Sequence, residues 1–165
     1  GTTISSNDFN QLKFTNQHGE TLSIERLRYV VSNIIISNDD NQNTKDYQLV
    51  NVGENSGSEI QLEDVPVGTY NLKFRFGFND ADNRDGVYQD LNSTSFNVPA
   101  MLGGGYHYMQ FDGKYLDTNN AEASFNYHMI RAVDRTDPNN VLYADTSFLT
   151  QSVMTLPLVR SSIKT

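Results

Sequence analysis

The segment Tyr70-Asn-Leu72-Lys-Phe74-Arg-Phe76-Gly-Phe78 alternates strictly, with every even position apolar and every odd one polar or glycine. A period of two places the even side chains on one face of an extended chain. It predicts a half-buried strand with Tyr70, Leu72, Phe74, Phe76 and Phe78 in the core and Lys73 and Arg75 in water. Pro66 and Gly68 just ahead supply turn chemistry and predict a hairpin with a strand over Ile60 to Val65. The run Tyr29 to Ile36 is β-branched on both faces and predicts a central strand.

The polar tract Asn38 to Lys45 predicts an exposed loop before a short strand over Tyr47 to Val52. Phe9 to Thr15 predicts the first strand, and Thr21 to Leu27 either a strand or one helical turn. Tyr106 to Phe111 and Ser124 to Arg131 predict a hairpin closing near Asp117 to Asn120, with tail strands within Val141 to Ile163. Asn79 to Asn97 has no periodicity, and loops of that length in compact domains tend to be functional or mobile.

About eight to ten short strands with turns at this spacing predict an all-β fold, an antiparallel β-sandwich of the Ig-like or jelly-roll-like kind. The 165 residues suit one domain, read as a flexible tether over 1–8 and a folded unit over 9–165. No run approaches the roughly 20 apolar residues that cross a bilayer as a helix.

Charge narrows the partners. With 12 Lys+Arg against 20 Asp+Glu the net charge of -8 repels nucleic acid and anionic lipid. The chain has no Cys and no Trp, which removes disulfides, thiolate metal sites and thiol nucleophiles together. The polar start of the chain is read as the remnant of an exported protein, in the manner of a lipoprotein whose acylated cysteine has been cut away.

Catalytic signatures are missing. No Gly-x-Ser-x-Gly elbow occurs, Gly53-Glu-Asn-Ser-Gly57 fails its spacing, and Gly103-Gly-Gly105 runs into a strand instead of the helix a phosphate cradle needs. No enzymatic activity is therefore expected. Asp80-Ala-Asp82-Asn-Arg-Asp85-Gly86 fails the EF-hand register, leaving a cation site of Asp80, Asp82 and Asp85 as the alternative to a solvated loop. His107 and Met109 are two apart in a strand and share a face. The hairpin brings His128 opposite or diagonal to them, at cross-strand separations of about 5 Å that suit one shared ion. Two imidazoles and a thioether favour copper over calcium or magnesium. The competing reading is a core methionine and two satisfied histidines.

Several stretches in order resemble the MbnP-like family, methanobactin-associated proteins related to the copper-binding surface proteins of methane oxidisers. They are Leu27-Arg-Tyr-Val-Val-Ser-Asn-Ile34, Tyr47-Gln-Leu-Val-Asn51, Val67-Gly-Thr-Tyr70 through Phe76-Gly-Phe78, Met101 to Tyr106 with Phe111-Asp-Gly113, and Phe125-Asn-Tyr-His128. The resemblance implies a periplasmic or outer-membrane, cell-surface β-sandwich that binds copper, and a partner dihaem enzyme. His128 is the position that matches a recurrent family histidine. The family's oxidised-tryptophan ligand does not carry over, because this chain has no Trp.

The expectation is thus an exported, non-catalytic copper-binding or copper-handling protein with His107, Met109 and His128 as metal ligands. The alternative is a surface module that recognises a glycan or protein through the 79–97 loop and exposed Tyr88, Tyr106 and Tyr108.

Overall fold

Twelve residues long, strand β3 (Arg26–Ser37) buries every second side chain from Arg28 to Ile36 and holds the sheet together. In this computed structural model, residues 3–61, 65–134, 136–137, 142–144 and 148–156 are described. Strand β4 (Gln42–Asn51) runs antiparallel along one edge of β3 for nearly its whole length. The other edge is divided. Arg26 to Tyr29 pair with β6 (Met109–Leu116), and Val31 to Ser37 pair with β5 (Gly68–Phe76), across a register shift between Ser32 and Ile35. Asn33 takes φ 49° at that shift, an αL conformation that asparagine tolerates better than its β-branched neighbours.

From this shared strand the ladder divides into two arms. One runs from β5 to β10 (Phe148–Leu156) and the other from β6 to β7 (Glu122–Met129). The small strands β1 (Phe14–Thr15) and β2 (Thr21–Leu22) extend the line of β3 along β6, and β8 (Ala132–Asp134) pairs with β9 (Leu142–Ala144). Among the described residues every ladder is antiparallel, and the longest helix, α1 (Gln89–Ser93), has five residues. The all-β antiparallel fold predicted by the alternation is what the chain adopts. No helix among the described residues is long and apolar enough to cross a membrane.

Four local expectations need correction. The polar tract after Asn38 is a tight turn closed by Asn38 N–H to the Asn41 carbonyl at 2.9 Å, and from Gln42 it is already strand. The long edge of β3 supplies backbone partners whatever the side chains are. At the start of the chain, Ser6–Asp8 form a 3₁₀ turn and strand begins only at Phe14. Ile60, Gln61 and Val65 lie outside any strand, and 62–64 fall outside the described residues. On β5 only Tyr70 is buried, with Phe78 just beyond the strand. Leu72, Phe74 and Phe76 are half-buried, as are Lys73 and Arg75.

Of this segment the core takes Phe78, with Phe76 packed against it. Val30, Phe78, Leu91, Phe96, Tyr106 and Tyr108 form one buried cluster, four of them at 0 % exposure. Leu91 and Phe96 come from the stretch 79–97, so the segment without strand periodicity closes the core. Tyr106 and Tyr108 are interior, which corrects their assignment to an exposed aromatic platform; Tyr88 is half-buried, stacked on Phe78 with centroids 4.8 Å apart.

The glycine loop that follows is shaped by the acidic one. Gly103, Gly104 and Gly105 all have positive φ, the Gly105 N–H donates to Asp85 Oδ1 at 2.6 Å, and the Tyr106 N–H donates to Asn83 Oδ1 at 2.7 Å. A Cβ on Gly105 would sit 2.4 Å from Asn83 Oδ1, so only glycine fits. Asp80 pairs with Arg131 at 2.8 Å and Asp82 accepts from Asn79. The three acidic side chains therefore point to three separate partners, not to a common cation.

Candidate metal centre

His107 enters the site from just outside β6. Tyr106 forms an isolated bridge with Asn97, and both the N–H and the ring Nδ1 of His107 lie 3.0 Å from the Phe96 carbonyl. A carbonyl only accepts, so Nδ1 carries the proton and Nε2 keeps its lone pair. The residue is 7 % exposed. Burial holds its pKa below the usual value, repulsion from His128 and Arg28 adds to this, and the Phe96 and Asp112 contacts oppose it.

His128 stands on β7 opposite Gln110. Its Nε2 lies 2.7 Å from Asp112 Oδ1, and its ring meets that of His107 edge to face with centroids 4.9 Å apart. Asp112 also accepts from Asn126 Nδ2 at 2.8 Å and lies 3.3 Å from Arg26 Nη1. Burial pushes its carboxyl up, but the bonds from Asn126 and His128 and the charges of His128 and Arg26 outweigh burial and hold it below the usual carboxylate value. As an anion it accepts a hydrogen bond from the Nε2–H of His128, leaving the lone pair of that ring on Nδ1.

Met109 is not in this group. Leu116 pairs with Glu122 around the turn Asp117–Ala121, which fixes odd residues of β6 opposite odd residues of β7: Met109 faces Met129, and Gln110 faces His128. Residues directly opposite share a face, so His128 belongs with Gln110 and Asp112. Met109 lies on the other side, in a groove with Leu22, Phe111, Tyr115, Phe125 and Tyr127. The shared face predicted for His107 and Met109 assumed strand geometry through both residues, whereas the strand begins at Met109.

Sequence reasoning missed the supporting residues. Arg28, 9 % exposed, donates through Nε to Gln110 Oε1 at 3.1 Å, through Nη2 to the same oxygen, and through Nη1 to the Thr94 carbonyl at 3.0 Å. Gln110 Nε2 donates to the Ser95 carbonyl at 3.3 Å and touches His107 Nδ1 at 3.4 Å. The signal was available in part: Arg28 begins the buried even face of β3, and Gln110 and Asp112 share the parity of His128.

Each imidazole thus has one nitrogen tied to an oxygen acceptor and one left with a lone pair, the outer-shell pattern that orients metal-binding histidines. Among the described residues no three His, Cys, Asp or Glu side chains converge on one ion. The nitrogens left with lone pairs are His107 Nε2 and His128 Nδ1.

The family model described as MbnP matches residues 3–161. No curated protein matches the chain. No solved structure matches it either.

Proposed function

This chain belongs to the MbnP family, and we propose that it is an exported, non-catalytic protein that binds or hands on copper through His107 and His128. The observation that carries the reading is the pair of anchored imidazoles in contact at 4.9 Å, one held by the Phe96 carbonyl and the other by Asp112. Neutral imidazole suits copper, and two donors fall short of the four that a structural zinc site takes. The family's copper ligand made from Trp has no counterpart, since the chain contains no Trp. The donor set is therefore the histidine pair, completed by solvent or a partner's ligand. A cell-surface or periplasmic location and a dihaem partner belong to the same reading.

The test is titration of wild type, His107→Ala and His128→Ala with Cu(I) under reducing conditions. Loss of affinity in both variants supports the pair; equal affinity in all three overturns it.

A second reading rests on the opposite face. The groove of about 570 Å³ around Phe111, Phe125 and Tyr127 is apolar and open, and Tyr127 is 57 % exposed. Such a face suits a module that recognises a glycan or protein. Glycan-induced change in tyrosine fluorescence that disappears in Tyr127→Ala and persists in His128→Ala would favour it.

A further inference from the structure

Arg28 is a buried cation whose close partners are all neutral. Its three hydrogen bonds end on Gln110 and the Thr94 carbonyl, and its guanidinium lies over the Phe96 ring, 5.6 Å from the centroid. Among the described residues no carboxylate comes within ion-pair distance of it. A buried charge without a counter-charge is costly, and arginine does not relieve the cost by giving up its proton.

Its position is one contact away from the histidine pair. Gln110, which accepts from Arg28, touches His107, and the Phe96 ring that covers Arg28 meets the His107 ring edge-on with centroids 5.8 Å apart. The other charges around the pair nearly cancel. Asp112 is engaged by Arg26 and His128; at longer range Arg28 is repelled by Arg26 and attracted by Asp112 and by Glu54, which is exposed. The positive charge beside the pair that makes no ion pair among the described residues is Arg28, and the hydrogen bonds and the ring fix it in place.

We propose that Arg28 makes the His107–His128 centre discriminate by ionic charge, favouring monovalent copper over divalent ions. This rests on the copper reading above. Repulsion from a fixed cation is proportional to the charge of the bound ion, so a divalent ion is opposed twice as strongly as Cu(I) at the same donors. In a half-buried setting the extra repulsion corresponds to about tenfold in relative affinity.

The experiment measures Cu(I) and Zn(II) affinities by competition with chromogenic chelators for wild type, Arg28→Met, Arg28→Lys and Gln110→Glu, with circular dichroism melts to verify folding. Arg28→Met removes the charge, and Gln110→Glu leaves Arg28 in place but neutralises it with a bonded carboxylate. Both are expected to shift the Zn(II)/Cu(I) affinity ratio toward zinc by about tenfold, while Arg28→Lys keeps the wild-type ratio. An unchanged ratio in Gln110→Glu and in folded Arg28→Met overturns the role of Arg28 while leaving the copper site standing. Copper binding by wild type that His128→Ala does not weaken instead overturns the copper reading, and this inference with it.

Discussion

His107 and His128 meet edge to face, planes at 87° and centroids 4.9 Å apart, although they are not opposite each other in any strand register. Two features bring them together. β7 presents His128 on the face shared with Gln110 and Asp112, and the bridge between Asn97 and Tyr106 carries His107 off the strand line to the same side. The contact depends on the loop ahead of β6 as much as on the hairpin.

Neutral His107 should give the fold a pH-dependent stability. In the folded chain burial holds its pKa below 6.5, so between that depressed value and 6.5 the unfolded chain takes up the proton and the folded chain does not. The contribution is complete above pH 6.5 and is lost as pH falls through the folded value. Urea unfolding should therefore show stability level from pH 8 to about 7 and declining below about 6.5. His107→Gln should flatten that decline. A decline of the same size in His107→Gln would assign it to another group. Asp112 contributes separately, in the window below its usual 3.8, where protonation removes its bonds to His128 and Asn126.

The core cluster predicts where truncation hurts. Leu91→Ala empties a fully buried site inside the 79–97 stretch and should cost about 2–5 kcal/mol. Phe74→Ala, on the half-buried stretch of β5, should cost less, about 1–2 kcal/mol. Denaturant midpoints compare the two directly, and a larger loss at Phe74 would mean that β5 carries the core after all.

This contrast also marks how far the sequence is legible. β3 and the 109–129 hairpin follow from their own residues, because apolar alternation and β-branching report a strand face directly. The covering role of Leu91 and Phe96 does not, since a single turn of helix and two loop residues leave no period to detect. The candidate site is half-legible for a similar reason. Residue types single out His107 and His128, whereas the exclusion of Met109 depends on a register parity set by the turn Asp117–Ala121, and one residue more or fewer in that turn would reverse it. Asp112 is visible as a partner only once that register is known.

Gly77 is required by both its backbone and its surroundings. It has φ 85°, and a Cβ there would lie 2.4 Å from the Tyr108 ring. Its carbonyl accepts from Ser32 Oγ at 2.6 Å, so the segment cannot shift without breaking a buried hydrogen bond. Gly77→Ala should destabilise by about 2–4 kcal/mol, while Gly86→Ala, with a similar φ but open space around it, should cost about 1 kcal/mol. Thermal melts of the two variants separate crowding from backbone strain.

Asp112 should govern copper affinity without touching the metal. Its carboxylate accepts a hydrogen bond from the Nε2–H of His128, which fixes the ring and leaves Nδ1 with the lone pair. In Asp112→Asn the side chain keeps its shape but loses its charge, and the amide can present a donor to His128 in place of an acceptor. Loss of such an outer partner typically lowers metal affinity ten- to a hundredfold. Cu(I) affinity of Asp112→Asn should fall by about that factor. Met109→Leu is the control, because Met109 faces the groove of Phe111 and Tyr127 on the other side of the sheet and should leave the affinity unchanged. If Met109→Leu weakens copper binding and Asp112→Asn does not, the metal sits on the opposite face and the histidine pair is a packing contact.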